Sequence, residues 1–311
     1  MAITNAIINY RRFLKRKNCS KHTVKNYMST LKQFVLWVDV PIEQVTHKTV
    51  LSFIDHLLDK RLKPKTINCY LNSIRGFYEY LIEEEQVPIS HPVKRGYSLR
   101  LSRPLPRYLR DEDVPRLFKV ISSKRDRAMF MLMLRCGLRV EEVARLTMAA
   151  LDLPRLQLFV YEGKGVKDRV VYLSNDAYKI LVEYLKARPS SRAKRVFLIE
   201  KGRFKGKPIQ VRGIQHRMQY YAEKAGLKVS CHQLRHTMAT QLLNAEAEVE
   251  TIQDLLGHNW ITTTQRYCKV SNVKVKKDYF KAMQVILSRS ENEKIQHREI
   301  SDTIGVTTNT E

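Results

Sequence analysis

Apolar residues recur at helical spacing through the first hundred positions of the chain and predict four amphipathic helices. Ser20 and Thr46 stand where N-caps would begin two of them, and Pro64 suits the first turn of another. The predicted inward positions are Ile3, Ile7, Ile8 and Phe13; Val24, Tyr27, Leu31, Phe34, Val35 and Val38; Val50, Phe53, Ile54, Leu57 and Leu58; and Ile67, Tyr70, Leu71, Ile74, Phe77, Tyr78 and Leu81. One small helical domain follows from this pattern.

The pattern after residue 108 is mixed. The run RDRAMFMLMLRC at 125–136 predicts a buried helix that ends at Gly137. Residues 155–173 alternate and are rich in β-type side chains, which predicts a hairpin around the turn Gly163-Lys164-Gly165. Further helices are predicted over 176–187, 212–224, 232–243, 249–256 and 273–287. The fold class is therefore mainly α with a small β-sheet, an N-terminal four-helix domain preceding an α+β domain.

Four prolines, Pro88, Pro92, Pro104 and Pro106, separate the two parts and are interleaved with basic residues. This spacing predicts an extended, solvent-exposed linker. The predicted organisation is a helical domain over 1–87, a basic linker over 88–107, a second domain over 108–288 and a polar tail over 289–311.

The composition narrows the class of protein. The chain has 311 residues, 43% of them hydrophobic, which is enough for packed cores. No apolar run is long enough for a membrane span, and the amino terminus lacks the charge order of a secretory signal, so we expect a cytoplasmic protein with no membrane partner. Five scattered cysteines without a CxxC pair indicate reduced thiols.

The formal net charge is +25, and both predicted domains share it. A polyanion facing both domains would explain this distribution, and nucleic acid is the first candidate because neutralising phosphates releases counterions. The alternatives are a protein kept soluble by its charge and one attracted to a membrane surface.

Five polar features lie where neither a core nor a cap requires them. They are Arg139 and Glu142 in CGLRVEEV, Lys164 at the hairpin turn, His232, Arg235 and His236 in HQLRH, His258 in LGH, and Tyr267 nine residues later. Each has an ordinary explanation: a surface ion pair of Arg139 with Glu141 or Glu142, a solvated lysine, a capping histidine, or one tyrosine among 15. A zinc site from Cys231, His232, His236, His258 and Cys268 is disfavoured, since zinc motifs have paired spacing.

Taken together and in this order, GLRxxE, GKGxKxR, HxLRH, LGH and the following tyrosine resemble the tyrosine recombinase (phage integrase-like) family. The resemblance covers residues 104–285 and extends to the N-terminal helices, which look like that family's core-DNA-binding (SAM-like) domain. It implies Arg139, Lys164, His232, Arg235, His258 and Tyr267 as catalytic residues. Glu142 and His236 would support these residues without acting on the DNA themselves.

The implied chemistry joins DNA strands through a 3′-phosphotyrosyl intermediate and needs no metal, ATP or other cofactor. Tyr267 would be the nucleophile, Arg139 and Arg235 a phosphate clamp, and Lys164 the general acid. His232 would assist proton movement at the nucleophile, and His258 would donate a hydrogen bond to the phosphate.

The implied partner is double-stranded DNA that carries a specific recombination site. The predicted DNA contacts are Lys25, Lys32, Lys63, Lys65, Arg75, Arg103, Arg107, Lys167 and Arg169. The resemblance also implies a tetramer on two sites, formed by this chain alone or with a partner recombinase. In it, the segment after Tyr267 either is exchanged between protomers or folds back on its own domain. Because the chain begins almost directly with these helices, we expect a simple recombinase rather than a larger phage integrase, similar to Xer-type dimer resolvases, integron-type enzymes or transposon recombinases.

Three other classes stay open at this point. A type IB topoisomerase would share the nucleophile and the clamp but would relax DNA without a specific site. A catalytically silent DNA-binding regulator would keep the fold, although it has no need for all six catalytic residues. A metal-dependent nuclease is the least favoured, because the sequence has no carboxylate cluster.

Overall fold

A computed structural model describes residues 3–102, 106–161 and 168–257, together with positions 264, 279, 283 and 284. The chain divides into two compact units, Met1–Pro104 and Leu105–Glu311. The predicted helix 273–287 and the tail 289–311 lie outside the described residues, apart from positions 279, 283 and 284. Within the described part of the chain, no helix is both long and apolar enough to cross a membrane.

Four helices form the first unit, as the apolar pattern predicts. They are α1 (Ile3–Arg16), α2 (Lys21–Trp37), α3 (His47–Asp59) and α4 (Pro64–Glu83). Ser20 caps α2, its hydroxyl accepting from the Thr23 backbone N–H at 3.0 Å. Thr46 and Thr49 form a capping box at the start of α3, and Pro64 opens α4, so these three start signals are confirmed.

Two of the predicted core positions of this unit are wrong. Ile8 and Leu58 are exposed. Helix α1 instead buries Ala6, Tyr10 and Leu14, which are spaced four residues apart on one face, and Ile8 lies off that face. Aromatic packing determines the buried face of α1, because the Tyr10 ring lies against Phe77 of α4 with 5.4 Å between ring centroids.

The prediction of a solvent-exposed linker is only partly right over 88–99, where positions 88, 90, 94–96 and 98 are exposed but the others pack on the first unit. Val93 is buried in the core of the first unit. The Asn68 side chain donates to the Leu99 carbonyl at 2.9 Å and accepts from the Leu99 N–H at 2.8 Å. The prolines exclude an α-helix here, leaving one 3-10 turn at Arg95–Tyr97, but the apolar residues between them gain more by packing on α4 and its neighbours than by staying in water.

The second unit has seven helices and one sheet among its described residues. The helices are α5 (Asp113–Lys119), α6 (Lys124–Arg135), α7 (Val140–Arg145), α8 (Asn175–Ala187), α9 (Val211–Lys224), α10 (Cys231–Asn244) and α11 (Val249–Leu256). The strands β1 (Leu151–Asp152), β2 (Gln157–Val160) and β3 (Arg169–Tyr172) form an antiparallel sheet in the order β1-β2-β3. Strands β2 and β3 confirm the predicted hairpin, with Val160 paired to Arg169; its turn lies outside the described residues.

Helix α6 is the central element of this unit and is buried over most of its length. At its amino end the buried Asp126 carboxylate accepts from Arg125 at 2.6 Å and from Arg217 of α9 at 2.6 Å. At its carboxyl end Gly137 adopts a left-handed φ of 64°, and Arg139 follows as the N-cap residue of α7. This sharp turn brings Arg139 next to the first turn of α10.

Candidate active site

Three of the predicted catalytic residues, Arg139, His232 and Arg235, lie together in the second unit. Arg139 follows the turn at the end of α6, while His232 and Arg235 lie in the first turn of α10. The charges of Arg139 and Arg235 both act on the His232 imidazole, which places the three side chains in one electrostatic environment. The helical spacing of His232 and Arg235 and the sharp turn at Gly137 are what bring them together.

Arg235 is the most deeply placed residue of this group, with only 1% of its surface exposed. Its guanidinium donates to the Gly137 carbonyl at the end of α6 and to the Leu256 carbonyl at the end of α11. A Cβ at Gly137 would lie 2.9 Å from the flexible ends of the Met238 and Leu256 side chains, which can shift, so it is the left-handed φ that requires glycine there. Arg235 of α10 thus joins its own helix to the ends of α6 and α11.

Arg139 is more accessible, with 32% of its side chain exposed. Its Nη1 donates to Glu142 Oε1 at 2.8 Å, and its backbone N–H donates to Glu142 Oε2 at 2.8 Å. A third bond runs from Nη2 to the Gly257 carbonyl at 3.2 Å. The ion pair with Glu142 is therefore present, and it orients a partly exposed guanidinium that can still meet an anion.

Three arginines donate hydrogen bonds to the last carbonyls of α11, a feature that the sequence analysis missed. The carbonyls of Leu255, Leu256 and Gly257 accept from Arg169, Arg235 and Arg139 respectively. Carbonyls at a helix C-terminus have no partner within the helix, and the helix dipole favours positive charge there. The helix ends at Gly257 with a left-handed φ of 60°, directly before the predicted catalytic His258.

Arg169 does not lie where a DNA contact would require it. The prediction placed its charge on phosphate, but only 7% of its side chain is exposed, and it forms an ion pair with Glu142, itself 8% exposed. Its two terminal nitrogens donate to the two carboxylate oxygens at 3.0 and 2.8 Å. The prediction is wrong because β3 turns Arg169 toward α7 and α11 rather than toward solvent.

His232 lies at the surface of the site, with its ring centroid 4.2 Å from that of His236. Partial shielding of the ring from water lowers the pKa of the His232 imidazole below its usual 6.5, and the positive charges of Arg235 and Arg139 lower it further. At pH 7 this imidazole is therefore neutral and able to accept a proton. His236 neighbours this ring; its supporting role stays a prediction.

The lowered pKa gives a testable pH dependence. In the free protein we expect the His232 ring protons to titrate in NMR spectra with a midpoint below pH 6.5. Arg139→Gln should raise that midpoint, because it removes one of the positive charges, while Arg145→Gln in the same helix should leave it unchanged. Since the folded chain binds this proton less readily than the unfolded one, His232 should reduce stability as pH falls from 6.5 to the midpoint, with no further loss below it. A midpoint at or above 6.5 would contradict this electrostatic picture.

Several predicted site residues lie outside the described residues: Lys164, His258, Tyr267, Arg103 and Lys167. Of the other predicted DNA contacts, Arg75 is half-buried and donates to Asn72 at 3.2 Å. The remaining ones are exposed, namely Lys25, Lys32, Lys63, Lys65 and Arg107. Exposure leaves them able to contact phosphate, and this role stays a prediction.

The described residues contain no group of three or more His, Cys, Asp or Glu side chains that could hold a metal ion. Cys231, one member of the zinc set considered above, is buried, and burial raises the pKa of its thiol to about 12. The same cause raises the pKa of Cys136 to about 12. Both thiols are therefore protonated at neutral pH and are poor ligands and nucleophiles.

Comparison with known proteins covers both units. The phage integrase family matches residues 107–274, and the phage integrase N-terminal SAM-like domain matches residues 7–87. The tyrosine recombinase XerA of Thermococcus kodakarensis is 30% identical over 91% of this chain and 97% of its own length. XerC of Staphylococcus haemolyticus is 30% identical over 86% of this chain and 92% of its own length.

Solved structures show the same fold. A lambda integrase dimer bound to a COC' core site has a TM-score of 0.70 at 18% identity, covering 86% of this chain and 95% of its own. The Tn1549 transposon integrase in complex with a circular intermediate DNA has a TM-score of 0.70 at 19% identity, over 84% and 94% of the two chains. A SAM-like helical unit followed by an α+β catalytic unit is the fold of the tyrosine recombinases, enzymes that cleave and rejoin DNA. On these matches the chain belongs to the phage integrase family.

Proposed function

We propose that this chain is a site-specific DNA recombinase, which integrates, excises or resolves DNA through a 3′-phosphotyrosyl intermediate. The observation that carries the proposal is the attachment of Arg139 and Arg235 to successive carbonyls at the end of α11. Two arginines from separate segments are thereby fixed at the two residues that precede His258 in the sequence, and Tyr267 follows His258 by nine positions. Fixed guanidinium groups stabilise charge on the equatorial oxygens of a phosphoryl transition state.

In the proposed reaction the Tyr267 hydroxyl oxygen attacks the scissile phosphorus and loses its proton. A phosphotyrosyl bond forms at the 3′ side while the bond from phosphorus to the 5′ oxygen breaks. His232, neutral at pH 7, assists removal of the tyrosine proton, and Lys164 delivers a proton to the leaving 5′ oxygen. His258 donates a hydrogen bond to the phosphate. Attack by another 5′ hydroxyl reverses these steps, so the energy of the broken bond is kept and no ATP is needed.

The DNA partner of this reaction is a duplex with a partly palindromic site. Exposed lysines of the first unit, including Lys25, Lys32, Lys63 and Lys65, supply contacts to the phosphate backbone. Strand exchange between two sites requires four protomers, which fits the solved structure of a lambda integrase tetramer bound to a Holliday junction. We place the chain with cellular DNA in the cytoplasm.

The proposal is tested by mapping DNA that stays bound to the protein through denaturation in cells. We expect adducts concentrated at one short, partly palindromic site, which would also identify the target sequence. Adducts spread over the genome would show a topoisomerase-like activity instead. No adduct from the wild-type chain, with DNA still bound under native conditions, would leave a DNA-binding regulator of the same fold.

A further inference from the structure

We propose that Arg169 is a positioning residue, which holds Glu142 and the end of α11 and thereby keeps the charge of Arg139 directed at the scissile phosphate. The inference rests on the proposed function, because it assigns to Arg169 a part in the same cleavage step. It replaces the role of DNA contact that the sequence suggested for this residue.

The geometry shows a shared carboxylate. Glu142 Oε1 accepts from Arg139 Nη1 at 2.8 Å and from Arg169 Nη1 at 3.0 Å. Oε2 accepts from the Arg139 backbone N–H and from Arg169 Nη2, both at 2.8 Å. With four donors on two oxygens, Glu142 is held from both sides and cannot rotate without breaking bonds to both arginines.

The shared carboxylate also sets the charge that a phosphate meets. Arg139 and Glu142 alone form a neutral pair, in which the carboxylate competes with a phosphate for the Arg139 guanidinium. Arg169 brings the formal charge of the three groups to +1. Because Arg169 and Glu142 are both almost wholly buried, their attraction is weakly screened, and Arg169 offsets much of the carboxylate charge that Arg139 would otherwise neutralise alone. The more exposed Arg139 is then the group that faces an incoming anion.

Arg169 also ties the β-hairpin to the end of α11. It is the first residue of β3, and its Nε donates to the Leu255 carbonyl at 2.9 Å. A Cβ at position 257 would lie 3.0 Å from Arg169 Cδ, so the side chain packs directly against Gly257. Arg169 follows Lys164 by five positions, and Gly257 precedes His258. The Arg169 guanidinium therefore links β3, which follows Lys164 in the sequence, to the end of α11, which precedes His258.

The test compares four changes: Arg169→Met, Arg169→Lys, Glu142→Gln, and Arg169→Met combined with Glu142→Gln. The probe is a nicked duplex that carries the site recovered with the wild-type chain, and the readout is the single-turnover rate of covalent adduct formation. Arg169→Met should lower this rate roughly 10- to 100-fold while DNA affinity stays within about twofold. Arg169→Lys keeps the charge but not the two-pronged guanidinium, so its rate of adduct formation should lie between those of the wild type and Arg169→Met.

The double variant separates positioning from simple stability. Once Arg169 is gone, Glu142 neutralises Arg139, so adding Glu142→Gln should recover roughly three- to tenfold of the lost rate. Arg155→Met is the matched control, since Arg155 is an exposed arginine that forms an ion pair with Asp152 of β1, on the far side of the sheet from β3. A rate for Arg169→Met equal to that of this control, or a double variant no faster than Arg169→Met, would overturn the inference.

Failure of the proposed function has a different signature. In that case the wild-type chain itself forms no adduct. Urea unfolding of the wild type, Arg169→Met, Glu142→Gln and the double variant then measures the coupling between positions 169 and 142. Clear coupling would support the arginine's hold on Glu142, and independent effects of the two substitutions would overturn it.

Discussion

Tyr267→Phe is expected to abolish the covalent DNA adduct, lowering its yield by about 10⁴-fold or more. The substitution removes one hydroxyl group, which is the proposed nucleophile, and phenylalanine offers no atom that can attack phosphorus in its place. No charge changes, so affinity for the duplex should stay within about twofold. Denaturing gels with an end-labelled duplex measure the adduct, and native gels measure binding.

Tyr279→Phe is the control for this prediction. Tyr279 lies twelve positions further along and is exposed, so the same chemical change at a second tyrosine should leave the adduct yield intact. An adduct that survives Tyr267→Phe but disappears with Tyr279→Phe would move the nucleophile to position 279. Loss of binding together with the adduct in Tyr267→Phe would show that Tyr267 supports the fold rather than the chemistry.

The helices and the hairpin could be predicted from the sequence because their signals are local. Ser20 and Thr46 are capping residues within three positions of the N–H groups that they serve, and the alternation through 157–172 needs only the nearest strand. The family motif likewise depends on the order of residues along the chain. That order was enough to nominate Arg139 and Arg235 for one site.

The features that the sequence did not predict depend on which surfaces pack together in the folded chain. Ile8 is apolar and at helical spacing, yet Tyr10 determines the buried face of α1 through its contact with Phe77. Nothing in the sequence around Arg169 distinguishes it from an exposed arginine, and only the packing of β3 near α7 and α11 buries its side chain. The hydrogen bonds to the end of α11 join segments more than 80 residues apart in two of three cases, beyond the reach of any local pattern.

Arg235 differs from Arg139 in being almost fully buried, and this burial determines what its loss would do. Its guanidinium has five N–H donors in a fixed fork, and two of the acceptors are the Gly137 and Leu256 carbonyls. Those bonds fix its orientation before any DNA arrives, so no reorganisation is required when charge develops on the phosphate. They also join the end of α6 to the end of α11, so Arg235 contributes to stability as well as to the proposed clamp.

Arg235→Met should therefore lower the single-turnover cleavage rate by about 10³-fold or more, because one arm of the clamp is lost. It should also reduce stability by about 1–3 kcal/mol for each carbonyl left without a donor. Arg235→Lys keeps the charge but not the fork, and should recover only part of the rate.

The matched control for Arg235→Met is Arg188→Met, since Arg188 also donates to backbone carbonyls, those of Ala193, Arg195 and Val196. Its loss should reduce stability in a similar way while leaving the cleavage rate per folded molecule unchanged. Rates of adduct formation are therefore to be compared after correction for the folded fraction from urea unfolding. Equal corrected rates for the two variants would mean that Arg235 serves only to join helix ends, and Arg139 would then have to stabilise the phosphate without it.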